Sequence, residues 1–337
     1  MRIHQLLMIG LLGGCFGACV PSAPAAQEHW AETAMAAKGA REAWHYEEAI
    51  RLYFEALKEA ETFGEDDPRL TATLRDLADC LTQTTKKYAL AEELLKREQR
   101  IMRRLGPDFP GLVAGMDLLG RAYYNQGNYK EAEKTYLNAI KIAPEVGGGA
   151  HNFDWRKEVV ARLGLCYQSE GKYDQAEQCF RSGLAAAQAK NDVIDLYWAC
   201  RALAMLYYAT HRYNDAILYF NHCIALNTKS PNWEDLLCLS EIYTAQKKDQ
   251  EALKYVRQAA VSARRDLNDG GNYGGNDAPH NLMHTLYPYL AQHELAAGNY
   301  SASRAAAKEA LTIAQSRKET ALVKEIGNFL ATDNHSH

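Results

Sequence analysis

The clearest structural pattern in the sequence is at Leu118–Pro144, LLGRAYYNQGNYKEAEKTYLNAIKIAP. On both sides of the Gly-Asn pair at 127–128 its apolar residues recur every three or four positions, which is the spacing of one buried helix face. The Gly-Asn pair supplies a turn, and Pro144 ends the second helix because it lacks an amide hydrogen. Gly120 and Ala132 are small, so we expect the two helices to approach each other closely there. The stretch predicts a helix-turn-helix unit.

The same unit recurs along the whole chain. A small residue follows each turn, and successive copies of it are 42, 41, 44, 40, 36 and 51 residues apart: Ala49, Ala91, Ala132, Ala176, Ala216, Ala252 and Ser303. Twelve positions earlier stands a second set of small residues, Ala37, Ala78, Gly120, Gly164, Ala204, Ser240 and Ala291. A Tyr lies three positions before the first set in every copy but the sixth, which has Asp249. Two fixed offsets kept through seven copies predict seven repeats, each with a helix A and a helix B.

This pattern resembles the tetratricopeptide repeat (TPR), which has a small residue in helix A, Gly-x-Tyr at the turn, Ala three residues later and a late Pro. The period exceeds the 34 residues of the plain repeat. The segment from Asp67-Pro68 to Asp108-Phe109-Pro110 resembles the kinesin-light-chain type of repeat, although Arg75-Asp76 and Asp117-Leu118 stand where that type usually has an Asn pair. The resemblance implies an all-α, right-handed superhelix, an α-solenoid of about seven helix-turn-helix repeats plus a C-terminal capping helix.

The predicted organisation follows from these offsets. Residues 1–14 form a lipoprotein-type signal peptide, 15–29 an extended Pro/Ala tether, 317–331 an amphipathic capping helix and 332–337 a disordered tail. The repeats occupy 30–316, as 30–64, 67–106, 109–146, 154–190, 193–230, 232–267 and 280–316. The Gly-rich segments 147–155 and 268–279 are predicted connectors, because Gly at this density does not stay helical.

The N-terminus carries a targeting signal. Arg2 precedes the apolar run 6–14, and small residues follow it. Leu-Gly-Gly before Cys15 resembles a bacterial lipobox, in which the Cys is lipidated; Cys19 is the alternative. The uncharged stretch 5–20 has 16 residues, fewer than the ~20 that a membrane-spanning helix needs. We therefore expect a lipid anchor in the bacterial cell envelope, facing the periplasm or exterior. A soluble secreted or periplasmic protein is the alternative, with cleavage near Ala23-Pro24-Ala25, and an uncleaved anchor ranks third.

Composition and motifs exclude several classes of function. The formal net charge is −4 and the cations form scattered doublets, which argues against nucleic acid as a partner. No phosphate-binding loop, Gly-x-Ser-x-Gly or His-Glu-x-x-His motif occurs. The six cysteines after the signal show no Cys-x-x-Cys spacing, so we expect buried thiols.

Two segments merit a metal hypothesis that we do not favour. His280 and His284 would share a helix face, with His293 further on, but no acidic or Cys partner stands nearby. Residues 266–277 mimic a calcium loop, but Gly270 and Gly274 occupy ligand positions and the last residue is not Glu. We predict neither a metal nor a cofactor.

The candidate binding site is the inner groove that helix A lines in a TPR superhelix. Tyr, Trp, Arg and Met are enriched where binding energy concentrates, and groove positions carry several of them. The predicted groove residues are Asp117, Arg121, Tyr124, Gln168, Trp198, Arg201, Met205 and Tyr208. The Lys–Asn pairing of the TPR clamp for acidic C-termini is absent. A structural alternative stays open, in which Tyr124 and Tyr208 pack on the next helix.

These observations predict a non-enzymatic, membrane-anchored adaptor that holds a partner protein or peptide in its concave groove. The alternative function is a sensor whose conformation responds to a ligand or peptide. An enzyme ranks third, because nothing in the sequence pairs a nucleophile with a base.

Overall fold

The computed structural model describes residues 23–84, 87–106, 111–142, 155–227, 231–268, 285–316 and 318–332. Throughout these residues the regular structure is helical, with fifteen α-helices and one short 3₁₀ turn. The predicted signal peptide, Cys15, Cys19, His280 and His284 lie outside the described residues, as do most of both Gly-rich connectors and the C-terminal tail.

The chain divides into two compact units, residues 1–159 and 160–337. Unit 1 contains three helix pairs: α1 (Ala23–Glu42) with α2 (Tyr46–Ala60), α3 (Pro68–Thr84) with α4 (Tyr88–Leu105), and α5 (Gly111–Asn125) with α6 (Tyr129–Ile142). The unit boundary falls within α7 (Trp155–Ser169). Unit 2 continues with α8 (Tyr173–Lys190), α9 (Val193–Ala209), α10 (Tyr213–Leu226), α11 (Trp233–Ala245), α12 (Asp249–Asn268), α13 (Tyr287–Ala296), α14 (Tyr300–Ser316) and α15 (Thr320–Thr332).

Each helix packs on the next within its unit, and helices A of neighbouring repeats also touch, α3 with α5 and α9 with α11. The order is that of stacked helix-turn-helix repeats in which odd-numbered helices α1–α13 are helices A and even-numbered helices are helices B. Repetition buries an apolar face that a single pair would leave exposed. The observed fold class is therefore the predicted all-α repeat fold.

The two sets of small residues form the close contact inside each repeat. Ala49, Ala91, Ala132, Ala176, Ala216 and Ala252 are fully buried, and so is Ser303. A Cβ placed on Gly120 would lie 2.4 Å from a ring carbon of Tyr136, and one on Gly164 would lie 2.6 Å from a ring carbon of Phe180. Larger side chains would force the helices apart, which explains the conservation of size from copy to copy.

The turns between helix A and helix B share one backbone feature. The residue two places before helix B has a positive φ, between 58° and 77°, in six repeats: Trp44, Gly127, Gly171, His211, Lys247 and Gly298. Glycine adopts this left-handed conformation freely, whereas other residues are strained in it. The sequence indicated the turn at 127–128, but it gave no signal that Trp44, His211 and Lys247 adopt the same conformation without glycine.

The start of the repeat array differs from the predicted boundary. Helix α1 begins at Ala23, so residues 23–29 are helical, whereas an extended tether was predicted to continue to residue 29. The physical reason is the segment APAAQ at 23–27: Ala is the strongest helix former, and Pro is tolerated in the first turn.

The last repeat and the capping helix close the C-terminal end of unit 2. Ile326 of α15 joins a buried cluster with Ala306, Ala307 and Ala310 of α14. Ala307 replaces the aromatic or large aliphatic side chain of earlier repeats, and a cavity of about 330 Å³ lies beside it, lined also by Leu322 and Phe329. Helix α15 is therefore the C-terminal capping helix of the predicted fold, and it covers the final face without filling it.

Candidate functional site: the helix-A faces

In unit 1 the helix-A face is occupied by ion pairs between repeats. Asp79 of α3 lies between two cations: its Oδ2 is 3.5 Å from Nη1 of Arg41, and its Oδ1 is 3.6 Å from Nη1 of Arg121. Arg41 also approaches Asp76, at 3.7 Å. Three successive helices A are thus connected by opposite charges, and Arg121, a predicted groove residue, takes part in this contact.

The other two predicted residues of unit 1 also belong to the packed structure. Asp117 is buried, with 5% of its surface exposed. Tyr124 is half-buried, and its ring lies 5.3 Å from the ring of Tyr129, centroid to centroid, across the turn of the same repeat. The packing alternative for Tyr124 therefore describes its observed environment. None of these three side chains provides a large exposed apolar surface.

In unit 2, Arg201 joins helices α9 and α11. Its Nε donates a hydrogen bond of 2.7 Å to Oδ1 of Asp235, and its Nη2 donates one of 2.5 Å to Oε2 of Glu234. Tyr197 donates a third bond, of 2.8 Å, to Oδ2 of Asp235. The Asp235 side chain is only 1% exposed, so its charge depends on these donors. Burial opposes the charge of Arg201, but the attraction of Asp235 and Glu234 outweighs it and raises the pKa of Arg201.

Local sequence explains why both carboxylates stand at this place. Asn232 caps α11, and its side-chain oxygen accepts hydrogen bonds from the backbone nitrogens of Glu234 and Asp235. The two acidic residues therefore occupy the first helical turn, where the helix dipole favours negative charge. Arg201 meets them there from the middle of α9.

Tyr208 forms the second contact between α9 and α11. Its hydroxyl donates a hydrogen bond of 2.6 Å to Oε2 of Glu241. Burial and this hydrogen bond to a carboxylate both raise the pKa of Tyr208. Arg201 and Tyr208 are seven residues apart on one helix face, so they fix the position of α9 against α11 at two levels.

The exposed surface on this face is apolar. Trp198 is 58% exposed and Ile194, four residues earlier on α9, is 70% exposed. Asp192 caps the helix by accepting hydrogen bonds from the backbone nitrogens of Ile194 and Asp195, which sets the first turn. The Trp198 ring lies edge-on to Tyr197, at 5.3 Å between centroids, and 6.0 Å from the guanidinium carbon of Arg201. The indole therefore packs against Tyr197 and Arg201, while much of its surface remains exposed to solvent.

Three further residues complete the helix-A surface of unit 2. Gln168 of α7 and Met205 of α9 are half-buried, and Leu165 of α7 is 42% exposed. We call the two exposed apolar residues of α9, Ile194 and Trp198, the apolar anchor set.

The structure thus separates the predicted residues into two roles. Arg121, Arg201 and Tyr208 hold neighbouring helices A, whereas Trp198 offers an exposed contact surface. Sequence reasoning missed Ile194 as a candidate, although its i−4 spacing from Trp198 placed it on the same face. It also missed Glu234, Asp235 and Glu241 as the partners of Arg201 and Tyr208.

The remaining candidates from the sequence are a possible metal site and the cysteines. His293 of α13 lies 3.3 Å from Oγ1 of Thr244, with its ring 4.4 Å from that of Tyr289, and burial lowers its pKa. Within the described ranges, no group of three or more His, Cys, Asp or Glu is arranged to hold a metal ion. The six cysteines from Cys80 to Cys238 are free thiols, and four of them are buried.

Among the described helices, none combines the length and apolar character needed to span a membrane.

Sequence comparison agrees with the repeat geometry. Residues 72–145 and 157–229 match the family model described as tetratricopeptide repeat. These two segments are therefore similar to tetratricopeptide repeats, and the described residues have the all-α repeat fold of such proteins.

Three individual proteins illustrate the similarity. Response regulator aspartate phosphatase J of Bacillus subtilis (strain 168) is 35% identical over 79 residues, which are 23% of this chain and 19% of that relative. A putative kinesin light chain of Podospora anserina with nearly identical TPR-like repeats aligns with a TM-score of 0.52 at 19% identity, over 59% of this chain and 94% of that one. A Rap protein complexed with competence and sporulation factor aligns with a TM-score of 0.54 at 15% identity, over 86% of this chain and 76% of that one.

At such identities the two solved structures support the fold alone. The resemblance to kinesin-light-chain repeats is consistent with this structural similarity. The match to the phosphatase covers about a fifth of that protein, so its activity is not transferred to this chain.

Proposed function

We propose that this chain is a non-enzymatic adaptor that binds a protein or peptide on the helix-A face of unit 2. The observation that carries the proposal is the exposure of Ile194 and Trp198 on one face of α9. Large apolar side chains in water gain about 25 cal/mol for each Å² that a partner covers. Trp is also among the residues that dominate measured binding energies.

The ion pairs beneath these residues support the same function. Arg201 and Tyr208 bond to α11, so the helix that carries Trp198 is held in place before a partner arrives. A rigid anchor loses little conformational entropy on binding. We therefore assign Arg201 and Tyr208 a positioning role, and we assign the direct contact to Trp198 and Ile194. Leu165, Gln168 and Met205 are further helix-A candidates for this contact.

The adaptor is proposed to act at the bacterial cell envelope, attached by a lipid on Cys15 or, alternatively, on Cys19. Support comes from the apolar run and the Leu-Gly-Gly-Cys motif at 12–15. The test is incorporation of a labelled fatty acid into the full chain in a bacterial host. Loss of label in Cys15→Ser and its retention in Cys19→Ser supports Cys15, and the reverse result supports Cys19. A wild-type chain without label, or label retained in the double variant, rules out a lipid on either cysteine.

A pull-down from solubilised envelope tests the binding face. The baits are the full chain, an Ile194→Ala/Trp198→Ala variant, and a control with Leu218→Ala/Val261→Ala. Leu218 and Val261 are also exposed apolar residues of unit 2, at 51% and 60%, but they lie on helices B. A partner that the wild type and the control capture and the first variant loses supports the proposal. A partner lost only from the control contradicts it.

The second candidate function is a sensor whose conformation responds to a bound ligand or peptide. The observation that favours it is the structural similarity to a Rap protein that was solved with competence and sporulation factor. Saturable binding of one compound or peptide by the purified chain, with a change in its hydrodynamic radius, would support the sensor over the adaptor.

A further inference from the structure

Helix α4 carries an unusual concentration of positive charge around Arg100. Its neighbours at i−4, i−3, i+3 and i+4 are Lys96, Arg97, Arg103 and Arg104, so every position that faces it along the helix is cationic. Like charges at these spacings destabilise a helix. The helix dipole favours cations only in the last turn, which includes Arg103 and Arg104 but not Arg100.

Carboxylates of the chain neutralise three of these five cations. Lys96 Nζ is 2.6 Å from Oε1 of Glu92, Arg97 Nη1 is 2.5 Å from Oε1 of Glu61, and Arg104 lies 3.2 Å from Glu65 and 3.1 Å from Asp66. Arg100 and Arg103 have no carboxylate within ion-pair distance in the part of the chain that the structure describes. Among the described residues, the guanidinium groups of Arg100 and Arg103 therefore have no ion-pair partner.

The same two residues border two surface depressions. One has a volume of about 470 Å³ and is lined by Arg97, Arg100, Arg103 and Arg104 with Glu65 and Ile101. The other has about 260 Å³ and extends towards α6, and besides Arg100 and Arg103 it is lined by Lys96, Gln99, Leu119, Tyr123, Glu131, Lys134, Thr135 and Asn138. Its one carboxylate, Glu131, lies 3.9 Å from Nζ of Lys134, so the cations of this lining outnumber it. Guanidinium groups bind carboxylates in a bidentate manner, and neutral amides and hydroxyls beside them add hydrogen bonds.

We propose that this helix-B surface of unit 1, the Arg100/Arg103 surface, binds an acidic peptide segment of a partner protein. Arg97 and Arg104 are seven residues apart, which is about 10 Å along a helix. An extended segment of three or four residues covers that distance, so its carboxylates can reach the whole length of the first depression. The concave shape and the lining amides favour a peptide segment, which can insert side chains, rather than a lipid bilayer, whose surface is flat.

This surface differs from the helix-A face of unit 2 in residues, charge and unit. The proposal therefore goes beyond the adaptor site proposed above and does not depend on it. A chain with both surfaces can hold two partners, one by apolar anchors and one by acidic residues.

The test is fluorescence anisotropy with the purified full chain and fluorescein-labelled hexaglutamate at low ionic strength. We expect saturable binding that Arg100→Ala/Arg103→Ala weakens at least tenfold, while Arg100→Lys/Arg103→Lys retains part of it. The control, Arg51→Ala/Lys58→Ala, removes two exposed cations from helix B of the first repeat and keeps the same net charge as the first variant. Ile194→Ala/Trp198→Ala should bind the probe like the wild type.

The first variant should unfold at a temperature no lower than the wild type, because it removes like-charge repulsion around helix α4. Four results would overturn the proposal: no saturable binding of hexaglutamate, equal weakening by the control variant, displacement of the probe by inorganic phosphate but not by chloride of equal ionic strength, or binding to phosphatidylglycerol vesicles without binding to the peptide.

Discussion

Arg201 and Asp235 lie on helices A of successive repeats, 34 residues apart in sequence, and Nε of the first donates a 2.7 Å hydrogen bond to Oδ1 of the second. This contact makes Arg201 part of the joint between α9 and α11. An arginine in a groove is easily mistaken for a ligand-binding residue, but here its charge is matched within the chain. The free surface nearby is the apolar anchor set.

The first prediction concerns the stability of this joint. Arg201→Ala leaves Asp235 buried without its main counter-charge, and breaking a buried pair in this way costs about 3–5 kcal/mol. Because 22% of the Arg201 side chain is exposed, we expect the lower end of that range, about 3 kcal/mol. Thermal and urea unfolding followed by circular dichroism measure the loss. Arg264→Ala is the control, because it breaks an exposed pair with Glu309 and should cost less than about 1 kcal/mol.

The second prediction concerns the turns. Lys247 holds φ at 58° in a position where three other repeats have glycine. Lys247→Gly removes the left-handed strain and should raise the free energy of unfolding by about 0.5–1 kcal/mol. Gly171→Ala, at φ 73°, should lower it by a similar amount. Equal and opposite shifts in the unfolding midpoint are expected, and a destabilised Lys247→Gly would show that the lysine side chain matters more than its backbone.

The third prediction compares two helical glycines of unit 2. Gly164→Ala places a Cβ 2.6 Å from a ring carbon of Phe180, so it should destabilise the chain by about 1–3 kcal/mol. Gly183 has no atom within 4 Å of such a Cβ, so Gly183→Ala should stabilise the chain by about 0.5–1 kcal/mol through its helix propensity. Opposite signs in one unfolding experiment are the expected result.

The fourth prediction concerns pH. Glu98 is fully buried beside Arg75, whose Nη1 lies 3.3 Å from Oε1, and burial raises the pKa of Glu98 to about 8 against the attraction of Arg75. The unfolded carboxyl has a pKa of about 4.3, so the folded chain binds one more proton between these two values. This contribution to stability is complete below about pH 4 and is lost as the pH rises through 8.

The measurement for this prediction is the unfolding temperature between pH 5 and pH 9. Glu98→Gln, which imitates the protonated form, should reduce the decline towards high pH. Glu92→Gln serves as a control at a more exposed pair, where the ion pair with Lys96 is 2.6 Å long. A decline of the same size in wild type and Glu98→Gln would assign the pH dependence to other groups.

Repeat number and register were predictable because they depend on contacts inside one repeat. The close approach of Gly164 to Phe180, or of Gly120 to Tyr136, joins residues at a fixed short separation. Such a contact requires a small residue at the same offset in each copy. The order of helix pairs in the structure accordingly agrees with the repeat pattern of the sequence. The capping helix was predictable from its amphipathic pattern for the same local reason.

The roles of the groove residues were not predictable, because they depend on contacts between repeats. The packing of α9 against α11 determines whether the Arg201 side chain faces solvent or Asp235. The periodicity of the sequence does not specify how these two helices pack. The start of α1 at Ala23 shows a second limit, since residues of a Pro/Ala segment are compatible with either a tether or a helix. The residue types at His211 and Lys247 do not indicate that the backbone there is left-handed.

Site-specific photo-crosslinking in the full chain shows whether Ile194 and Trp198 on helix α9 touch a partner. Benzoylphenylalanine replaces Trp198 in one variant and the similarly exposed Leu218 of helix B in the other. We expect a discrete crosslinked adduct from position 198 and none from position 218, and we expect the adduct to be lost when Ile194→Ala is added. Adducts from position 218 alone, or equal adducts from both positions, would contradict it.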